Sequence, residues 1–480
     1  MKNWMLELAF HYHNTKQVFP NDDLLIIFDI DGTIIDLRFM VLYVLQAYDR
    51  IHNTHYFRHL RITDINVHEA RIEKLLDQLN ISQKEQQKVL SWYEKHDWSS
   101  KTILEAHRPY RGVLEVIRWF QIQPKTFVGL NTGRPEWQRA ATLRSLNKLA
   151  EEYRVKFTSK LLFMNRENDW AGSIPPSKVR GLEYFQEAGY RVFAMIDNEP
   201  GNLEAIAKAD KEKEILLLHA DTIFESKRQQ TPKSAISGTS YDVTGLIQEG
   251  NDLPKHIQFV WHGVTDKITL QQFFDSDIRW TEVYIRRDPF TDAPIVRHAD
   301  FDKFPLQKNE EFLLLENAVK ELIAQGKSIK LELKEGNGLI KNVLDITSKI
   351  KDNRLWFGGR LERIEEKGYR LLSESHPNAI IQCRIDFIAP LLISMPEKTK
   401  EILDIFTDWG INRFSINDAT PNKSKILDQL DQWGFEVNIF NINSLESFLR
   451  SVLLLPQSIT SNFTFPEWKY LRHNTKGSQG

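Results

Sequence analysis

Five short apolar runs punctuate the first half of the chain, at residues 24–30 (LLIIFDI), 125–132 (KTFVGLNT), 160–164 (KLLFM), 190–197 (YRVFAMID) and 214–220 (EILLLHA). Runs this short, bounded by polar clusters, read as buried strands, whereas apolar positions three and four apart read as amphipathic helix. Strands alternating with helices predict a parallel sheet whose reactive groups collect at the strands' carboxyl ends. Between the first two strands the rhythm changes. RFMVLYVLQAYDR, VHEARIEKLLDQL and QKEQQKVLSWYEKH all carry helical spacing, so residues 38–106 are expected to form a helical cap inserted over the sheet.

Residues 226–254 are polar, rich in Ser, Thr and Gly, and are expected to be a linker between a first domain at 1–225 and a second at 255–470. Eight further strand candidates follow: IQFVWHG, TEVYIRR, SIKLELK, RLWFGG, IIQCRID, NRFSIND, FEVNIFN and SITSNF. Each is followed by a helical stretch, the pattern of a (β/α)8 barrel. The whole is therefore an α/β chain, a Rossmann-like parallel sheet followed by a barrel. Residues 471–480 are expected to be a disordered tail.

Within the barrel runs, charge alternates with apolar residues. Glu282, Tyr284 and Arg286 share one face of their strand, as do Lys330, Glu332 and Lys334, and Gln382, Arg384 and Asp386. A closed barrel packs its apolar face against outer helices, so the charged face points into the lumen. Unpaired charge is costly there, and these groups must pair, bind a metal or face a ligand.

Composition narrows the class without naming it. The chain has 480 residues, 41% hydrophobic and 27% charged, with a net charge of −2. That charge gives no bulk attraction to nucleic acid, and no basic stripe supports such a partner. The single cysteine, Cys383, excludes an intrachain disulfide and favours a reducing compartment. MKNWMLELAF is too short and too polar for a signal peptide, and no stretch has the roughly 20 apolar residues of a membrane span. A cytoplasmic location is the expectation. Mid-strand Cys383 reads as a buried, inert thiol. His52, His55 and His59, spaced for one helix face, read as a solvated face rather than a metal cluster.

Four groups at predicted strand and helix ends carry chemistry. In FDIDGT, Asp29 stands at the end of a strand, where a carboxylate can act as nucleophile or metal ligand, and Asp31 can serve as acid and base beside it. In NTGRP, Thr132 and Gly133 offer a hydroxyl and backbone N–H groups to an oxyanion. Lys178, at a helix start, can neutralise phosphoryl oxygens. Asp197 ends a strand as a hard oxygen ligand suited to Mg²⁺.

This order (Asp-x-Asp-Gly-Thr, strand-Thr-Gly-Arg-Pro, Lys, strand-Asp) resembles the haloacid-dehalogenase superfamily. The resemblance implies a small phosphomonoester substrate and an aspartyl-phosphate on Asp29. Asp31 would protonate the leaving group and then activate water. Thr132 and Lys178 would hold the phosphoryl oxygens, and Gly133 and Arg134 would bind substrate. Asp29, Asp31 and Asp197, with the Ile30 carbonyl, would hold Mg²⁺. Many members carry a second Asp after the last one; here Asn198, Glu199 and Asn202 follow, and which of them supports the metal stays open.

The second domain resembles the glycerophosphodiester phosphodiesterase-like barrels. His262 ends the first strand, Glu282 lies on the second, His298 follows, and Glu332 and Lys334 lie on the third. The resemblance implies His262 and His298 as acid and base on a phosphodiester, Lys334 as a substrate contact, and Glu282 and Glu332 as ligands of a second divalent metal. Tyr284 stands where the family has an Asp ligand, and Asp300 falls one position late after His298. The barrel would cleave or bind a phosphodiester; the alternative is a non-catalytic module that binds a ligand or partner and directs the phosphatase.

Overall fold

The computed structural model describes residues 3–165, 174–222, 230–247, 253–305, 312–336 and 338–463. The chain forms two compact units, residues 1–248 and 249–480.

In the first unit, strand β1 (Leu24–Phe28) is buried along its whole length and lies at the centre of a six-stranded parallel sheet. It pairs with β2 (Thr126–Pro135) on one side and, beyond β3 (Leu162–Asn165), the sheet ends. On the other side come β4 (Arg191–Asp197), β5 (Leu216–Ala220) and β6 (Ile236–Gly238). The strand order reverses about β1, so β1, β2 and β4 open a crevice at their carboxyl ends. The cap rises from that edge as α1 (Arg38–His52), α2 (Ile72–Gln78), α3 (Gln83–His96) and α4 (Ser100–Ala106). It has its own core of Val41, Val44, Leu45, Tyr48, Phe57, Leu75, Leu76, Val89 and Tyr93.

Three features depart from the sequence-based expectation. The stretch expected as a linker supplies β6, and its Tyr241, Val243, Leu246 and Ile247 are buried. Three hydrogen-bonded register pairs to β5 outweigh its polar composition. Residues 223–229 and 248–252 of that stretch, like the tail at 464–480, lie outside the described residues. A helix at Trp4–Val18, which the apolar pattern did not announce, buries Trp4, Met5, Leu8, Ala9 and Tyr12 and ties Trp4 Nε1 to the Ser240 carbonyl at 2.7 Å. The three cap histidines do not share a helix, because α1 ends at His52 and Asn53 turns left-handed (φ 51°); all three are exposed.

The second unit closes as the pattern predicts. Eight parallel strands run β7 (Gln258–Trp261), β8 (Trp280–Arg287), β11 (Ser328–Leu333), β12 (Leu355–Gly359), β13 (Ile380–Arg384), β14 (Arg413–Asn417), β15 (Glu436–Ile442) and β16 (Ser458–Ser461). Closure is made by β16 pairing with β7 and β7 with β8. After β8 the chain makes an antiparallel excursion, β9 (Pro294–Val296) and β10 (Leu313–Leu314), and it is the turn out of β9 that brings His298 to the barrel mouth. Cys383 is buried and free, and burial pushes its thiol well up. Among the described residues, no helix is long and apolar enough to cross a membrane.

Candidate functional sites

The crevice of the first unit is built by strand ends. Asp29 follows β1 directly, and its amide donates to the Ile196 carbonyl of β4 at 2.9 Å, which draws the carboxylates of β1 and β4 together. The loop after it turns sharply: Gly32 has φ 79°, a conformation that favours glycine, and its amide bonds the Ile35 carbonyl. Thr222 Oγ1 donates to the Gly32 carbonyl, and the Tyr241 hydroxyl donates to the Thr33 carbonyl at 2.9 Å.

Lys178 is the centre of the site. Its ammonium, 1% exposed, lies 2.5 Å from Asp29 Oδ1, 2.9 Å from Asp197 Oδ2 and 2.6 Å from the Asn131 carbonyl. The helix carrying it, Ile174–Glu187, sits close because residue 181 is glycine; a Cβ there would lie 2.4 Å from the Asn131 amide. Asp197 also accepts from the Glu199 amide and from Asn202 Nδ2, so Asn202 orients the carboxylate. Asn198 bonds Thr33, and the Glu199 carboxylate lies 3.9 Å from His68 of the cap.

Arg134 is fully buried and differs from its expected role as a substrate contact. Its guanidinium grips both oxygens of Asp31, at 2.6 and 2.7 Å, donates to Thr142, and stacks 5.2 Å over the Trp98 ring of the cap. Both oxygens of the Asp31 carboxylate are thereby turned to an arginine. The Ile30 carbonyl, expected as a ligand, accepts from the amides of Ile34 and Ile35 and shapes the loop instead. Thr132 Oγ1 accepts from the Arg134 amide at 3.2 Å, leaving its own hydrogen to donate. Gly133 packs against Ile174, 3.0 Å from where a Cβ would stand.

Three carboxylates face two cations here. Burial pushes the Asp29 carboxyl up to about 7; Lys178 works against this, and the neighbouring Asp197 and Asp31 reinforce it. The cap adds a further carboxyl: burial pushes Glu69 up to about 8, and Asp31, Glu199 and Asp97 add to the rise, so it favours its protonated form. No sequence spacing pointed to Glu69, His68 or Trp98, which reach the crevice only because the cap folds back over it. Among the described residues, no three His, Cys, Asp or Glu side chains converge as a metal cage. Asp29 and Asp197 are a pair of hard oxygen donors in an anionic surround, and that donor set fits a divalent cation.

The barrel site has the opposite character. A cavity of about 610 Å³ opens at its mouth, lined by seven Lys and Arg side chains and two carboxylates, with His262 and His298 among them. Register sets its pairs. Lys330 lies beside Glu282, and Glu332 beside Tyr284, on adjacent strands. The Lys330 ammonium is 3.0 Å from Glu282 Oε1, and the Tyr284 hydroxyl donates to Glu282 Oε2 at 3.0 Å. His262 Nε2 lies 2.5 Å from that hydroxyl, and Nδ1 is 2.6 Å from Asn462 Oδ1. The His298 ring meets Tyr284 edge-on with centroids 4.4 Å apart. Glu332 accepts from Arg384 at 2.9 Å, and Lys334 stands 3.9 Å away and 4.2 Å over the Tyr284 ring. Asp386 leaves this array: it caps the Asn417 amide at the rim.

Burial would raise the Glu282 carboxyl, but Lys330 and His262 overcome it and hold the group down at about 2. Burial, with Lys334 and His262, holds His298 below its ordinary value. Glu282 gives both oxygens to Lys330 and Tyr284, Glu332 gives Oε1 to Arg384 and keeps only an enclosed Oε2, and a tyrosine stands at the third expected ligand position. This donor set does not fit a divalent metal.

The molecule thus combines a capped Rossmann-like unit carrying an acidic strand-end site with a closed (β/α)8 barrel carrying a basic one. No family model matches the chain, and no curated protein does. Solved structures similar to it include a phosphodiesterase from Oleispira antarctica in complex with sn-glycerol-3-phosphate (16% identity, 44% of this chain and 94% of that one, TM-score 0.34). They also include a putative phosphoglycolate phosphatase from Lactobacillus plantarum (14% identity, 47% and 99%, TM-score 0.27). A third is a HAD family hydrolase from Deinococcus radiodurans with bound phosphate and sodium (15% identity, 41% and 80%, TM-score 0.28).

Proposed function

We propose that the chain is a two-site phosphohydrolase. The first unit hydrolyses a small phosphomonoester through an aspartyl-phosphate, and the barrel acts on a phosphodiester. The observation that carries the first reading is Lys178, bridging the buried Asp29 and Asp197 at the ends of adjacent strands.

Asp29 is the nucleophile: its carboxylate oxygen bonds to phosphorus as the bond to the leaving alkoxide breaks. Asp31, once protonated and turned from the Arg134 grip, gives the departing alcohol its proton; as carboxylate it then takes one from the water that attacks phosphorus while the Asp29–phosphorus bond breaks and phosphate leaves. Lys178 and the Thr132 hydroxyl face the phosphoryl oxygens. Mg²⁺, held by Asp29 and Asp197, would neutralise developing charge on those oxygens. The cap, through Trp98 over Arg134, excludes bulk water from the crevice.

In the barrel, His262 and His298, both against Tyr284, are the acid and base on the phosphodiester, and Lys334 contacts the anion. Cleaving a diester releases a monoester, the substrate class of the first site.

Asp29→Asn keeps the shape of the side chain and removes the nucleophile. Hydrolysis of 4-nitrophenyl phosphate should fall by at least about a thousandfold while the circular dichroism spectrum is unchanged. Turnover near the wild-type rate in a folded variant would refute the mechanism. In the same preparation, bis(4-nitrophenyl) phosphate hydrolysis should persist and be lost in His262→Ala.

A further inference from the structure

Wherever a divalent metal would sit in the barrel, a protein cation already stands. Lys330, 1% exposed, shares the level of Glu282 and takes one of its oxygens, and the Tyr284 hydroxyl takes the other. Among the described residues Glu282 is the acid within 4 Å of the Lys330 ammonium, and a metal ion at Glu282 would displace that ammonium within a buried lumen. Glu332 Oε1 is committed to Arg384, while its Oε2, enclosed against Gly358 where a Cβ would approach to 2.7 Å, has no hydrogen-bond partner.

The surplus of positive charge is directed at the cavity. The Arg286 side chain is nine-tenths buried and lines the cavity, yet its Nε has no hydrogen-bond partner. Its Nη2 makes one long bond, 3.4 Å to the His298 carbonyl, and lies 3.7 Å from Asp300. Gln382 lines the same space with an unpartnered Oε1. Gln382 Oε1 is an acceptor and needs a donor from the ligand, whereas the unpartnered Arg286 Nε is a buried donor in a cationic cavity and calls for an anion.

We infer that the barrel binds the phosphoryl group of its ligand directly through Arg286, Lys334 and Arg384, with Lys330 occupying the place of a metal and no divalent ion between protein and ligand. This rests on the reading of the barrel as a phosphate-ester site. Arg and Lys supply the fixed positive field: the Glu282–Lys330 pair cancels itself, and Arg384 stays anchored to Glu332 while Arg286 and Lys334 make only long contacts to carboxylates.

The test is calorimetric titration of the full chain with sn-glycerol 3-phosphate, in EDTA and again in Mg²⁺. Binding in EDTA that weakens at least tenfold in Lys334→Met and is retained in Lys334→Arg is the expected result. Lys334 is partly exposed, and thermal unfolding of both variants checks that they are folded. Binding that depends on Lys334 but appears only with Mg²⁺ overturns the inference and leaves the phosphate-ester reading standing. Binding in EDTA that Lys334→Met leaves unchanged overturns it too, because the anion is then held elsewhere. Absence of Lys334-dependent binding in both buffers overturns the inference together with the reading it rests on.

Discussion

Both sites pair a buried lysine with a strand carboxylate, Lys178 from a helix and Lys330 from the neighbouring strand, yet the outcomes are opposite. In the first unit Lys178 faces Asp29 and Asp197, and Asp31 lies nearby. One ammonium cannot neutralise that cluster, and the Asp29 carboxyl rises to about 7. In the barrel Lys330 faces Glu282 alone, with His262 adding to it, and the Glu282 carboxyl falls to about 2. The same ion pair therefore says nothing by itself; the count of charges around it decides whether the site calls for a cation or for an anion.

The largest expected effect breaks each pair and asks which ion repairs it. Lys178→Met leaves two buried carboxylates uncompensated and should cost about 3–5 kcal/mol. Glu282→Gln leaves Lys330 unpaired and should cost a similar amount. In urea unfolding, millimolar Mg²⁺ should restore part of the first loss and inorganic phosphate part of the second. Mg²⁺ restoring Glu282→Gln, or phosphate restoring Lys178→Met, would end the contrast.

Much of this was legible in the chain. The strand-end acids, Thr132 and Lys178 stand at the edges of apolar runs, so the pattern that predicts the sheet also predicts where they gather. Alternation along TEVYIRR and SIKLELK likewise placed Glu282 and Lys330 inside the barrel. It did not say that they adjoin. That depends on the stagger between strands, which pairs Glu282 with Lys330 and Tyr284 with Glu332 and which no local pattern encodes. The grip of Arg134 on Asp31 spans 103 positions and was hidden for the same reason. β6 was missed because Ser, Thr and Gly imitate a linker; its edge position needs only backbone partners.

Acid titration sharpens the contrast by sign. A carboxyl raised in the fold favours the protonated native state, so its contribution is fully present below the unfolded value near 4 and is lost as pH rises through about 7. Without metal, wild type should therefore gain stability relative to Asp29→Asn as pH falls from 7 towards 4. A carboxyl depressed in the fold behaves the other way: the Glu282 contribution is present above the unfolded value of about 4.3 and is lost as pH falls towards 2. Wild type should then lose its advantage over Glu282→Gln in that lower window. Urea midpoints of the three proteins in EDTA across both windows measure this. Parallel trends in the two differences would mean that the charge environments are alike.

The smallest effect probes how tightly the barrel holds its second carboxylate. Gly358 lies opposite Glu332 on β12, and an added Cβ would stand 2.7 Å from Glu332 Oε2. Gly358→Ala must push that carboxylate towards Arg384, its hydrogen-bond partner at 2.9 Å, or out of line with it. Overpacking of this kind costs about 1–3 kcal/mol. Because Arg384 also lines the cavity, the same change should weaken sn-glycerol 3-phosphate binding by a few fold. A stability loss with unchanged affinity would mean that Glu332 braces the wall without setting the position of Arg384, and the barrel's preference for anions would then rest on Arg286 and Lys334.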